Sequence, residues 1–302
     1  MRVAVTGSSG LIGTALCARL RAEGHDVVRL VRRPAAAGGD PGLVEARWEP
    51  VAGTIDTAAL AGVDAAVNLA GAGIGDRRWT DERKRELHDS RIRSTDLLAS
   101  TLAKLEPRPA VLVSGSAVGY YGDRGDEVLT ETSGPGDDLL ARLCVDWEAA
   151  TEPATDAGIR VATIRTGIVL TRDGGALPKL LPLFKLGLGG RFGSGRQWWS
   201  WITLRDEVDA VVWLLTHDVS GPVNLTAPNP ATNAELTRSL AHALHRPAVL
   251  PVPKFGPGLL VGRELAQALL FTSARVEPAA LRAAGYPFSD PALDAALAAE
   301  VS

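Results

Sequence analysis

The 302-residue sequence predicts an α/β fold, a doubly wound parallel sheet followed by a smaller C-terminal lobe. Three observations carry this prediction. Short Val-, Ile- and Ala-rich runs alternate with longer segments of helical period, a glycine-rich turn joins the first run to the first helix, and the regular alternation fades after Gly174. Strands separated by helices imply crossover connections, and crossovers imply a parallel sheet covered on both faces.

In chain order, residues 2–5, 26–31, 43–48, 65–69, 110–114 and 160–165 read as strands. Residues 11–23 read as the first helix, stopped by Gly24. The Ala- and Gly-rich stretch 34–42 reads as a surface connection inside the domain. Residues 1–174 are expected to form the parallel-sheet domain. Residues 175–302 are expected to form mainly a cap lobe, because Pro178, Pro182, Gly187, Gly189, Gly190, Gly193 and Gly195 interrupt any regular pattern there.

With 46% hydrophobic and 22% charged residues, the chain is long enough to bury a large core. A formal charge of -3 gives no global attraction for nucleic-acid backbones or acidic membranes, so neither partner is expected. Cys17 and Cys144 lie in stretches that read as amphipathic helices; both are expected to be small buried thiols, which suits a reducing compartment. The chain opens directly on a strand, residues 210–215 are too short an apolar run to span a bilayer, and Arg263 and Glu264 interrupt residues 258–271. The expectation is a soluble, cytoplasmic protein.

The strongest chemical signal is Thr6-Gly7-Ser8-Ser9-Gly10-Leu11-Ile12-Gly13, placed between a strand and an amphipathic helix. Gly7 permits the tight turn, Gly10 lets backbone approach a pyrophosphate, and Gly13 allows helix and strand to pack closely. The helix N-terminus then offers unpaired N–H groups to phosphates. This is the fingerprint of a Rossmann-type domain. Where the second strand ends, an NAD-binding domain would place a carboxylate against the ribose 2′-hydroxyl, whereas this chain has Arg32 and Arg33. Guanidinium groups suit a 2′-phosphate, so the expected cofactor is NADP(H).

Further motifs follow: Asn68-Leu69-Ala70-Gly71 after one strand, and Ser114-Gly115-Ser116-Ala117-Val118-Gly119-Tyr120-Tyr121-Gly122 after another. Others are Asp146-Trp147-Glu148, the run from Phe184 to Gly195, and Gln197 with Ser200-Trp201-Ile202. With these motifs the chain resembles the extended short-chain dehydrogenase/reductase superfamily, and more narrowly its epimerase-family branch related to nucleoside-diphosphate-sugar epimerases. Residues 251–297 are similar to that branch's own C-terminal module, through Arg263-Glu264, Leu269-Leu270, Val276, Pro278 and Gly285-Tyr286. The resemblance implies that Leu69, Ala70 and Gly71 form a wall beside the adenosine ribose and pyrophosphate. It places Arg91 on the following helix facing the cofactor. Glu86 is either a second such residue or part of a charged solvent face. Ile168, after the sixth strand, would close the nicotinamide end through its backbone.

Active members of that superfamily use a Tyr-x-x-x-Lys pair to move a proton at a substrate oxygen, with a serine orienting the substrate. This chain lacks the pair: its tyrosines are Tyr120, Tyr121 and Tyr286, followed four residues later by Arg124, Gly125 and Asp290. Counting back from Glu148 puts Leu140 and Cys144 at the two positions. Ser116 matches the serine, and Tyr121, or Tyr120 beside it, is the candidate phenol. His242 and His245 have no partner at metal-ligand spacing, so no metal is expected. Trp198, Trp199 and Trp201 form either a pocket wall or core packing. Two main functions are implied: an NADP(H)-dependent oxidoreductase or epimerase acting on a small molecule, or a catalytically silent NADP(H)-binding sensor or interaction protein.

If Arg32 reads the 2′-phosphate, Arg32→Ala raises the Kd for NADPH roughly 10- to 100-fold, the value of a charge-assisted contact, and leaves that for NADH nearly unchanged. Parallel titrations with the two nucleotides check this. Equal effects on both would remove Arg32 from cofactor selection.

Overall fold

The computed structural model describes residues 1–35, 42–253 and 255–301. Most of the connection expected over residues 34–42 lies outside them. Six strands open the architecture: β1 (Arg2–Thr6), β2 (Asp26–Val31), β3 (Leu43–Glu49), β4 (Thr54–Ile55), β5 (Ala65–Asn68) and β6 (Val111–Ala117). The strands Arg160–Thr166 and Gly221–Leu225 complete an eight-stranded sheet. In space the order is Gly221–Leu225, Arg160–Thr166, β6, β5, β1, β2, β3, β4. All neighbours are parallel except the edge hairpin β3–β4. The connection direction reverses between β1 and β5, so the crevice beyond their C-terminal ends is where such a sheet receives a ligand.

Period-2 alternation assigns the two faces. Val3, Val5, Val27, Val67, Val113 and Ile164 point to one core, shared with the helix α1 (Leu11–Ala22) and the helix Leu204–Thr216. Ala4, Val28, Leu30, Ala66, Leu112 and Val161 point to the other, covered by the long helix α2 (Asp81–Leu102). Thr80 caps α2 by accepting from the Arg83 N–H, and Asp81 and Glu82 complement its positive end. A third helix, α3 (Leu139–Ala149), is capped by Asp138 and packs beside α2 and β6. Cys17 and Cys144 are both buried free thiols, as the helical pattern implied.

The expected boundary at Gly174 does not separate sheet from lobe. The helix Leu204–Thr216 returns the chain to the sheet and Gly221–Leu225 pairs along Arg160–Thr166, so the sheet closes about fifty residues later than the fading alternation suggested. Glycine punctuation marked an excursion, not an end. The lobe itself collects Leu170, Phe184, Trp199, Trp201, Leu236, Leu240 and Leu297 in a separate core. Trp199 and Trp201 are therefore packing residues; Trp198 is partly buried, its indole donating to Asp126 at 2.9 Å under the Arg275 guanidinium. No helix among the described residues is long and apolar enough to cross a membrane.

The C-terminal segment docks through buried polar groups. The Asp206 carboxylate, in the first turn of the helix Leu204–Thr216, accepts the Ser289 and Asp290 backbone N–H groups at 2.8 and 2.9 Å. The Tyr286 hydroxyl donates to the Asp206 carbonyl while its ring packs edge-on to Trp213. Leu281 and Tyr286 join the main core. Asp206→Ala strands two buried donors and is expected to lower unfolding free energy by about 2–4 kcal/mol. A urea midpoint within error of the parent protein would show that the segment is held by apolar packing alone.

Candidate functional site

The crevice is built first by a steric constraint. Gly7 has φ +62°, and a Cβ there would lie 2.5 Å from the Leu69 carbonyl oxygen. At Gly13 a Cβ would lie 2.2 Å from the Gly7 oxygen, so α1 can start this close to β1 only with glycine at both positions. Gly10 caps α1 without a side-chain hydrogen bond, and the first turn carries no acidic residue. Ser9 and Gly10 are exposed, with Leu11 and Ile12 half-buried behind them. The positive end of α1 is thus left for an outside anion.

Opposite this loop, one hydroxyl sets the wall. Thr6 Oγ1 accepts from the Leu69 and Ala70 N–H groups at 3.1 and 3.2 Å and donates to Asn68 Oδ1 at 2.7 Å. Asn68 Nδ2 donates to Thr95 on α2 and Ser114 on β6, and the Trp147 indole donates to Thr95 from α3. This buried chain fixes Leu69, Ala70 and Gly71 against the glycine loop. Arg91 lies behind Gly71: a Cβ on that glycine would sit 3.2 Å from the guanidinium carbon.

At the far end of β2, Arg32 is exposed and makes no hydrogen bond or ion pair among the described residues. The Arg33 guanidinium grips Glu45 of β3 through contacts of 2.7 and 2.6 Å, which ties the end of β2 to β3 and sets it apart from the unpaired Arg32. Arg29, which sequence reading passed over, donates from Nε to Ser8 Oγ at 3.1 Å and steadies the glycine loop from below. Its signal was an arginine inside the otherwise apolar run Val27 to Val31.

Glu86 lies beside Arg83, whose guanidinium also donates to the Gly73 carbonyl. It accepts from Arg83 at 2.6 Å, and that hydrogen bond holds its carboxyl below the usual range on an exposed helix face. Ile168 has no free donor to offer, because its N–H is bonded to the Ser200 carbonyl at 2.8 Å and the Gly167 N–H is bonded to Leu225. The nicotinamide end is therefore not closed by open backbone N–H groups from this stretch.

The catalytic expectations fare differently from the cofactor ones. Arg165, 3% exposed, pairs with Glu148 on α3 through two contacts of 2.8 Å. Ser116 donates to the same carboxylate at 2.6 Å, and Tyr121 donates to Asn224 at 2.6 Å while accepting from Arg165. Tyr121 is fully buried, and burial pushes its hydroxyl up to about 12 despite the nearby guanidinium. Both expected catalytic hydroxyls are hydrogen-bonded within this cluster. Leu140 packs against Gly119, and Cys144, whose thiol burial raises to about 11, contacts the Ala117 carbonyl. Tyr120 is the partly buried phenol. Its ring lies 3.4 Å from the Arg165 guanidinium carbon, and its hydroxyl has no partner among the described residues.

One buried acid completes the region. Glu207 is wholly buried beside the end of Arg160–Thr166, accepting from Thr166 Oγ1 at 2.8 Å, with Oε2 unpartnered among the described residues. Burial raises it to about 8. Among the described residues no group of His, Cys, Asp and Glu could hold a metal ion.

Comparison with known proteins follows the same lines. The family model described as NAD dependent epimerase/dehydratase family matches residues 3–226, and a domain of unknown function, DUF1731, matches residues 252–300. Epimerase family protein Mb2239 of Mycobacterium bovis is 47% identical, over 95% of this chain and 93% of that protein. Human epimerase family protein SDR39U1 is 38% identical over 98% of each. A crystal structure of the human protein with NADPH superposes with a TM-score of 0.88, covering 99% of both chains at 36% identity.

Glu207 generates a pH-dependent prediction. Its folded value lies above the unfolded one, so stability is fully present below about pH 4.5 and is lost as pH rises toward about 8. Glu207→Gln keeps an acceptor for Thr166 and removes the ionisation. Its stability relative to the parent is expected to be nearly unchanged at pH 5 and to gain roughly 2–4 kcal/mol by pH 8. Chemical denaturation across that range measures the difference, and a constant difference contradicts the assignment.

Proposed function

Because the chain belongs to the NAD-dependent epimerase/dehydratase family, we propose that it binds NADP(H) and does not run Tyr-Lys acid–base chemistry on a substrate. The single observation behind this reading is that the Ser116 and Tyr121 hydroxyls are already committed, to Glu148 and Asn224, while Leu140 and buried Cys144 stand at the relay positions. The cofactor half supports the other part. Its glycine cradle would be filled by any Cβ at Gly7 or Gly13, the positive end of α1 is uncapped by side chains, and Arg32 stands free at the end of β2. The human relative crystallised with NADPH agrees with that cofactor choice. In this reading Leu69, Ala70 and Gly71 line the cofactor, and the protein senses or stores it.

Tyr120 favours a second reading, a slow reductase. Its hydroxyl is uncommitted and a guanidinium lies against its ring, so it is the one phenol near the strand ends placed to give a proton to a carbonyl oxygen after hydride transfer. Titration calorimetry is expected to show one NADPH per chain, with a raised Tm by mass action. NADPH absorbance is expected to stay constant on adding carbonyl compounds and nucleotide sugars. Consumption that disappears in Tyr120→Phe and persists in Tyr121→Phe would establish the reductase instead.

A further inference from the structure

Charge is divided unevenly along this chain. Residues 174–205 and 236–263 contain no Asp or Glu, yet together they carry nine Lys and Arg, so a chain of formal charge -3 leaves -12 for the remainder. The fold sets the two basic stretches side by side. The Val252 N–H donates to the Arg191 carbonyl at 2.8 Å, the Gly193 N–H donates to the Val252 carbonyl at 2.9 Å, and Arg246 Nε donates to the Lys185 carbonyl at 3.1 Å. Lys185, Arg191, Arg246 and Arg263 are exposed, and none of them meets a carboxylate among the described residues.

The same stretches leave apolar side chains in solvent. The helix Leu177–Lys185 buries Leu177 and Phe184 in the lobe core but leaves Leu183 exposed, and the short helix Phe255–Val261 buries no residue at all. Leu186 and Phe255 are each 72% exposed, Val249 79% and Leu260 80%. Single exposed leucines need no explanation, but ten of the fifteen large exposed hydrophobics among the described residues fall within residues 183–269. The short helix is not loose: Arg78 donates to the Leu259 and Leu260 carbonyls, and Lys84 pairs with Glu264 at 2.7 Å just beyond it. Polar contacts thus hold this segment to the sheet domain while its apolar side chains stay outside.

Unpaired cations interleaved with protruding Leu, Val and Phe match an anionic lipid surface on both counts. Lys and Arg meet the headgroups, and the apolar side chains reach the acyl boundary beneath them. A second copy joined about a two-fold axis would instead set like charge against like. We propose that this face docks the protein peripherally on an anionic bilayer. The acidic remainder of the chain is repelled by the same membrane and orients the basic face toward it. The overall charge, from which no membrane partner was expected, conceals this division. The docking face is independent of the NADP(H) reading.

Co-sedimentation of the full chain with vesicles of phosphatidylcholine alone, and of phosphatidylcholine mixed with phosphatidylglycerol, tests the docking. Binding is expected to the mixed vesicles only, and to weaken as salt is raised. Lys185→Gln combined with Arg263→Gln is expected to lower the partition coefficient about 10- to 30-fold, roughly fivefold per charge. Leu186→Ser combined with Leu260→Ser is expected to lower it about tenfold. All four side chains are exposed and neither cation makes a hydrogen bond among the described residues, so the Tm of both variants is expected to match the parent. Should one pair of substitutions disturb folding, the other carries the test. Absence of binding to the mixed vesicles overturns the proposal, as does equal binding to both compositions or unchanged binding in both variants. A concentration-dependent dimer without vesicle binding would give the face to a second copy and overturn it as well.

Discussion

The Arg165–Glu148 pair is the interaction on which the upper half of the molecule depends. A guanidinium 3% exposed needs a full complement of acceptors, and Glu148 supplies two of them from α3. Around that pair the fold assembles Ser116 from β6, Tyr121 from the turn after it, and Asn224 from the last sheet strand. Glu131 extends the cluster by accepting the backbone N–H groups of Asn224 and of Ala280 in the C-terminal segment. Removing either charge would leave the other buried without compensation, so the cluster holds strands, helix and C-terminal segment in one arrangement.

That arrangement has a chemical cost. Hydroxyls that satisfy a buried ion pair are not available to a substrate, and Tyr121 is further restrained by burial that raises its pKa to about 12. The cofactor side is organised the opposite way. There the fold leaves donors and charges open: the first turn of α1 and Arg32. Around the Arg165–Glu148 pair Ser116 and Tyr121 are satisfied internally, whereas the glycine-loop end leaves donors open.

The legible features were those with local causes. Val3, Ala4 and Val5 alternate between two cores because β geometry sends successive side chains to opposite faces, so the strands could be read from a few residues each. Gly7 and Gly13 were legible because their turn excludes a Cβ whatever surrounds it. Arg91 could be placed on the helix after Gly71 through resemblance, whereas the roles of Arg29 and of the Thr6 hydroxyl went unread: they consist of hydrogen bonds to Ser8, and to Asn68 and the Leu69 and Ala70 backbone. The strand Gly221–Leu225 was missed because its pattern is broken by Pro222 and Asn224, and its strand identity comes from pairing with Arg160–Thr166.

By itself, then, the sequence determined the layered α/β class, the glycine cradle, the buried thiols and the absence of a Tyr-Lys pair, since each follows from residue type and short-range spacing. Tertiary structure alone decided which functional groups remain free. Arg33 and Arg32 are neighbours of identical chemistry, yet only Arg33 meets Glu45 from the adjacent strand. Tyr120 and Tyr121 are likewise adjacent, and Tyr121 is the one whose hydroxyl reaches Asn224, 103 residues away. The physical reason is that commitment of a polar side chain depends on which partner the fold brings within about 3 Å, and chain spacing does not encode that distance.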